Sequence, residues 1–272
     1  MESLRIPLGD GLVLDAVTGG PADGDVVLLL HGFPQTSWSW RGVWPSLVDS
    51  GFRVVAPDQR GYSPDARPVG VEHYAMTHLV ADAVAVLDAV GAEAAHVVGH
   101  DWGAAVAWQL AGRRPDRVRT LTTVSVPHPV AFVEALRSDP EQKARSRYMK
   151  DWADPGTEEK LLAGGLGELF GIPAVDAAHY LERMREPGAL TAALSYYRAQ
   201  SIRDLDSLGP ITAPTLHVWS DGDAALGPTA AHATGRHVAG AYRFEVLHGV
   251  SHWVPEEAAE RLTTLLLEHL RR

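Results

Sequence analysis

The stretch VVGHDWGAAVAW, residues 97–108, sets Asp101 midway between Gly99 and Gly103. Small residues at that spacing are what a sharp strand-to-helix turn requires, because backbone and neighbouring strands approach closely there. Such a turn usually presents a serine, which must lose its proton to a base before it can attack. A carboxylate, with a reference pKa of about 3.9, is already anionic at neutral pH. Asp101 can therefore attack a saturated carbon bearing a leaving group unaided, which leaves an alkyl ester on its own side chain. Hydrolysis of that ester calls for a base to activate water and for N–H donors to hold the oxyanion. The base candidate is His252, in EVLHGVSHWVPEE, just past a strand-like run and before the final helix. An acid to orient it would come from the turn in HVWSDGD, where Asp221 and Asp223 are both available. A lone aspartate after a strand is most often a helix cap; here the flanking glycines, His100 and the later His252 favour a nucleophile. His31, His96, His128, His217, His237 and His248 are read as structural or solvent-exposed.

The elements that must carry these residues are legible as a rhythm. DVVLLLHG, FRVVAPD and AHVVGHD are short apolar runs that stop at Gly, His or Asp, as buried parallel strands do. Ahead of them, residues 3–8 and 11–17 alternate around Gly9-Asp10-Gly11 and predict a hairpin. Between the runs, THLVADAVAVLDAVG predicts a helix with Leu79, Val80, Ala83, Val84, Val86, Leu87 and Val90 on one face, Thr77 capping its start and Gly91 its end. After VRTLTTVSVPHP the rhythm breaks, and residues 127–208 read as helices with Gly/Pro interruptions such as GGLGELFGIP. Strand signals return in APTLHVW and AYRFEVL. A last helix is expected from Pro255, with Glu256 and Glu257 in its first turn and Arg271 and Arg272 at its end, matching the helix dipole. The expected fold is α/β: a mainly parallel sheet flanked by helices, with core residues 1–126 and 209–272 and an inserted helical cap, 127–208.

Composition narrows the function classes. The 272 residues are 46% apolar, with 34 acidic and 24 basic side chains and a net charge of −10. No basic cluster could grip a phosphate backbone, so nucleic acid is not an expected partner. Without cysteine, disulfides, thiolate metal sites and cysteine nucleophiles are excluded. The start, MESLRIPLGDGLVLD, has neither the basic nor the apolar region of a signal peptide, and no run reaches membrane-spanning length. A soluble cytoplasmic protein, monomer or homodimer, is expected. No metal-ligand spacing or phosphate-cradling loop is seen, so no cofactor is expected.

Nucleophile, acid and histidine follow in the chain order of α/β-hydrolases. With HGFPQTSWSWR, DQRGYSPDARP, GHDWGA, HVWSDGD and GVSHWVPEE, the chain resembles, over essentially its full length, the epoxide hydrolase and dehalogenase branch of that fold. The W-x-x-x-D pattern of the resemblance selects Asp223 over Asp221; chemistry alone allows either. In some relatives the acid follows the preceding strand, where this chain has Ser125-Val126-Pro127. The resemblance implies an oxyanion hole from the backbone N–H groups of Phe33 and Trp102, whose side chains would also line the pocket.

The leaving group is the next question. Opening an epoxide expels an alkoxide, so the site must donate a proton or strong hydrogen bonds to that oxygen, as a tyrosine can. RSRYMKDWADPG and ALSYYRAQ are similar to the cap segments of epoxide hydrolases that carry two such tyrosines, and the matching positions are Tyr148 and Tyr197. Tyr196, one residue earlier on a helix, would point roughly 100° away. Haloalkane dehalogenases typically have asparagine where this chain has Phe33, and fluoroacetate dehalogenases have arginine where it has Trp102. The expected function is hydrolysis of a small-molecule epoxide by water to a vicinal diol. The alternatives are a dehalogenase working through the same ester and a non-catalytic ligand-binding relative.

Overall fold

The apolar runs do build the centre of a sheet. The computed structural model describes residues 1–9, 11–164, 171–200 and 208–271. Asp10 of the expected turn, residues 165–170 within GGLGELFGIP, residues 201–207 near the expected end of the cap, and Arg272 lie outside the described residues.

The strands are β1 (Glu2–Pro7), β2 (Val13–Gly19), β3 (Val26–Leu30) and β4 (Arg53–Pro57), then β5 (Ala95–His100), β6 (Val118–Val124), β7 (Thr215–Ser220) and β8 (Tyr242–Leu247). Among the described residues they form one eight-stranded sheet in the order β1-β2-β4-β3-β5-β6-β7-β8. The opening hairpin is antiparallel, as is its join to β4; every later pairing is parallel.

Every residue of β3, VVLLL, is buried, because helices cover both faces. Its side chains alternate with the strand period of two. Leu28 and Leu30 pack toward α2 (Met76–Ala89) and α3 (Trp102–Arg113). Val27 and Leu29 pack on the opposite face with Leu47, Leu262 and Leu266. The chain runs from β3 to β4 on one side and then crosses to β5 on the other. The crevice beyond the carboxyl ends of β3 and β5 is thus the switch point at which ligands of open α/β sheets bind.

Between β6 and β7 the described residues hold helices and no strand: α4 (Pro129–Ser138), α5 (Pro140–Arg145), α6 (Arg147–Ala153), α7 (Thr157–Gly164), α8 (Ala174–Met184) and α9 (Ala189–Ala199). After β7 come α10 (Pro228–Ala233), α11 (Val254–Glu257) and α12 (Ala259–Leu270).

Two local expectations need correction. Thr77 does not cap α2: the helix begins at Met76 behind Ala75, without a side-chain cap, which leaves Thr77 inside the first turn. Gly91 does close it, at φ 70°, with its N–H on the Asp88 carbonyl and that of Ala92 on the Leu87 carbonyl. The final helix begins at Val254 and is broken at Ala258, whose φ of −132° and ψ of 32° leave the helical region. The break turns the short α11 toward the interior of the molecule, and Glu256 with it.

Candidate active site

Asp101 leaves β5 at φ 51° and ψ −120°, a conformation that few side chains other than glycine adopt, and α3 starts at the next residue. Close approach explains the neighbours. A Cβ on Gly103 would sit 2.0 Å from the Leu30 carbonyl oxygen, and one on Gly32 would sit 2.3 Å from the Asp101 Cβ. The turn after β3 is thereby pressed against the carboxylate, and the Phe33 N–H donates to Asp101 Oδ1 at 2.8 Å. The Trp102 amide opens the first turn of α3, where N–H groups lack intrahelical partners.

The loops after β7 and β8 complete the cluster. His252 Nε2 is 3.5 Å from Asp101 Oδ2, and its Nδ1 is 2.8 Å from Asp223 Oδ2. Asp223 is buried, and its Oδ1 accepts the N–H groups of Ala225 and Leu226 at 2.8 and 2.9 Å, so the carboxylate is held from both ends. Asp221, left open as an alternative by chemistry alone, instead pairs with the exposed His248 at 2.8 Å. At the other position considered for the acid, Ser125 reaches only the His252 carbonyl, at 3.4 Å.

Electrostatics set the protons. Burial alone would lower the His252 pKa, but Asp223 and Asp101 on either side outweigh it and push it up to about 10. Burial alone would likewise raise Asp101. The hydrogen bond and charge of His252, followed by His100 and the Phe33 N–H, win and hold it below the usual carboxylate range. The resting site is an imidazolium between two carboxylates.

Tyr148 on α6 and Tyr197 on α9 hang over Asp101. Both line two adjoining cavities that also contain Asp101, and the larger, about 70 Å³, has apolar walls that include Val126, Phe132, Met149 and Leu226. The Tyr197 ring stands edge-on to Trp102 and Phe33, with centroids 5.0 and 5.6 Å away. Burial, and then the Asp101 charge, raise both phenols well above their ordinary range, so each remains a proton donor at neutral pH. Tyr196 faces away, with its hydroxyl on the Arg60 carbonyl at 2.8 Å.

The sequence reading missed two participants. Trp152 packs edge-on against Tyr148 at 4.6 Å and lines the smaller cavity. Glu256, read only as a helix-dipole residue, has a buried carboxyl group that accepts from Gln35 Nε2 and from the Tyr180 hydroxyl, each at 2.7 Å. Burial raises its pKa to about 7. Gln35 and His100 flank the motif residues in HGFPQ and GHD, and that was the available signal. Among the described residues no group of three His, Cys, Asp or Glu is arranged to hold a metal ion, and no helix is long and apolar enough to cross a membrane.

Comparison with known proteins agrees with this architecture. The family model described as alpha/beta hydrolase fold matches residues 25–259. The AB hydrolase superfamily protein YfhM of Bacillus subtilis is 34% identical, over 96% of this chain and 96% of its own. Epoxide hydrolase A of Mycobacterium tuberculosis is 31% identical, over 96% of this chain and 95% of its own. Among solved structures, an epoxide hydrolase from metagenomes of hot environments superposes with a TM-score of 0.90 at 29% identity, covering 99% of this chain and 98% of its own. A Bacillus megaterium epoxide hydrolase variant complexed with its diol product gives 0.88 at 26% identity, covering 99% and 100%. The strand order, the strained turn at Asp101 and these matches lead to one conclusion: the chain belongs to the α/β hydrolase fold family.

Proposed function

We propose that the protein is an epoxide hydrolase that works through an ester on Asp101, with residues 127–208 as its cap. The observation that carries this reading is that Asp101 and two protonated tyrosines, Tyr148 and Tyr197, line the same cavities. Halide needs no proton, whereas an alkoxide does, and paired phenols over the nucleophile suit the second.

In the first step Tyr148 and Tyr197 donate to the epoxide oxygen while an Asp101 oxygen forms a bond to ring carbon. The C–O bond of the ring breaks, and the oxygen takes a phenolic proton. Esterification removes the Asp101 charge that held the His252 proton in place. His252 releases that proton, which restores the phenol, and becomes a neutral base oriented by Asp223. It then takes a proton from water as the water oxygen bonds to the Asp101 carboxyl carbon. The Phe33 and Trp102 amides hold the resulting oxyanion. Collapse breaks the bond between the carboxyl carbon and the ester oxygen, and that oxygen takes the proton of the hydroxyl that water added to the carboxyl carbon, so the diol leaves neutral. Asp101 is again anionic and His252 again protonated, so the cycle closes.

This route is tested by a single turnover in ¹⁸O-labelled water with enzyme in excess. The diol should carry no label and Asp101 should carry one oxygen of it; a labelled diol would mean that water attacks the epoxide directly. A second expectation concerns the phenols. Tyr148→Phe and Tyr197→Phe should each slow ester formation roughly 10²-fold, the usual effect of deleting one preorganised donor, and should spare ester hydrolysis. Rapid-quench mass spectrometry separates the two steps.

A further inference from the structure

A chain of buried hydrogen bonds runs from the cap to the turn that presents the Phe33 amide, and Glu256 sits in the middle of it. Gln35 is fully buried. Its Oε1 accepts the Gly32 N–H at 2.8 Å and lies 2.9 Å from His100 Nδ1. A backbone N–H can only donate, so the orientation of the Gln35 amide is settled: its NH₂ end must face elsewhere and find an acceptor. Glu256 Oε1 is that acceptor, at 2.7 Å. Beyond Gln35 the chain continues through Gly32, which precedes Phe33, whose N–H points at Asp101. His100 Nε2 lies 2.9 Å from the His252 carbonyl oxygen, but burial keeps the ring neutral, and its one proton serves either that carbonyl or Gln35 Oε1. On the far side, Tyr180 of α8 donates to Glu256.

We infer that Glu256 is a positioning residue for hydrolysis of the ester, acting through Gln35 on the Phe33 amide. Without the Glu256 carboxyl group, the Gln35 NH₂ is a buried donor with nothing to bond. The amide is then held at its oxygen alone, and displacement of its NH₂ toward another acceptor loosens its grip on the Gly32 N–H. The turn that aims the Phe33 amide then loses its anchor. Tyr148 and Tyr197, which serve ring opening, stand on α6 and α9 outside this chain of bonds. The Phe33 N–H also steadies Asp101 for attack, but only in the second step must it hold a full oxyanion, so the second step suffers more.

The inference rests on the ester mechanism above, and rapid-quench mass spectrometry of single turnovers with an aryl-substituted terminal epoxide tests it. Glu256→Met keeps the side-chain length and removes the acceptor. It should slow ester hydrolysis by roughly 10- to 10²-fold, the range expected when a reacting group is misplaced by a fraction of an ångström to one ångström. Ester formation should change by less than about threefold, so the ester accumulates. Glu256→Gln keeps a carbonyl oxygen for the Gln35 amide and should restore hydrolysis. Tyr180→Phe, which removes only the tie to the cap, should leave both rates near those of the wild type. If Glu256→Met does not fold, Gln35→Met breaks the same chain one link nearer the site and carries the same expectation. An equal slowing of both steps, or unchanged rates with a lower melting temperature, would reduce Glu256 to a structural strut. An ester that the variant hydrolyses at the wild-type rate overturns the role of Glu256 alone. Failure of the wild-type enzyme to form any ester overturns the reading of the site and this inference together.

Discussion

Asp101→Ala should abolish both ester and diol, with turnover falling on the order of 10⁴-fold or more, as loss of a covalent nucleophile does in enzymes whose catalytic residues act as a unit. The reason lies in the geometry as much as the charge. Asp101 is 8% exposed, is held at φ 51°, and is fixed by the Phe33 N–H on one oxygen and His252 near the other. Neither neighbour can move a substitute nucleophile into that position. Asp223, the other carboxylate close to His252, already has one oxygen on the histidine and the second on two backbone amides. Intact-protein mass spectrometry after exposure to epoxide should find no adduct, and circular dichroism should find the fold retained. An active Asp101→Ala enzyme would show that the strained turn serves something other than nucleophilic attack.

His252→Gln should separate the two halves of the reaction. The glutamine amide can still donate to Asp101 and the phenols remain in place, so the ester still forms, more slowly because the His252 charge no longer lowers the Asp101 pKa, while loss of the general base slows ester hydrolysis by about 10²- to 10⁴-fold. The expected product is a stable adduct equal in mass to the whole epoxide, absent when Asp101 is also replaced. A mass lower by the elements of HX, obtained with a haloalkane, would instead support dehalogenation.

The same histidine makes a prediction about pH. Its pKa is held near 10 in the resting enzyme by Asp223 and Asp101. Esterification neutralises Asp101 and removes one of these two raising influences, so the pKa must fall in the ester. Hydrolysis needs the neutral imidazole and should therefore rise with pH along a limb centred below 10. Direct titration of the free enzyme by NMR should place His252 near 10. Coincident midpoints in the two measurements would mean that Asp101 does not control the proton on His252.

Much of this was readable in residue order because the features concerned are local. The glycines around Asp101 answer to a single turn, and the need for them is visible within five residues. The apolar run of β3 and the Val97-Val98 centre of β5 identify strands covered on both faces. The helical stretch between β6 and β7 showed itself by the loss of strand-like runs. Helical geometry showed that Tyr196 and Tyr197 face different ways, and the resemblance to epoxide hydrolase cap segments chose Tyr197.

What chain order could not settle was long-range pairing. Asp221 and Asp223 stand two residues apart in one turn, and only the packing of the loops after β7 and β8 turns one toward the buried His252 and the other toward the exposed His248. Thr77 looked like a cap because capping residues are recognised by type; α2 follows the 3₁₀ turn at Val71–Tyr74 and begins two residues earlier, with Ala75 in the cap position. Glu256 is the clearest case. Two glutamates in a first helical turn satisfy the helix dipole, and that local explanation is sufficient on its own. The break at Ala258 points α11 inward, and Gln35, 221 residues away, waits there with a buried donor. Sequence determines which groups are present and how each turn is built. Which buried donor meets which buried acceptor is decided where distant segments close over one another and exclude water.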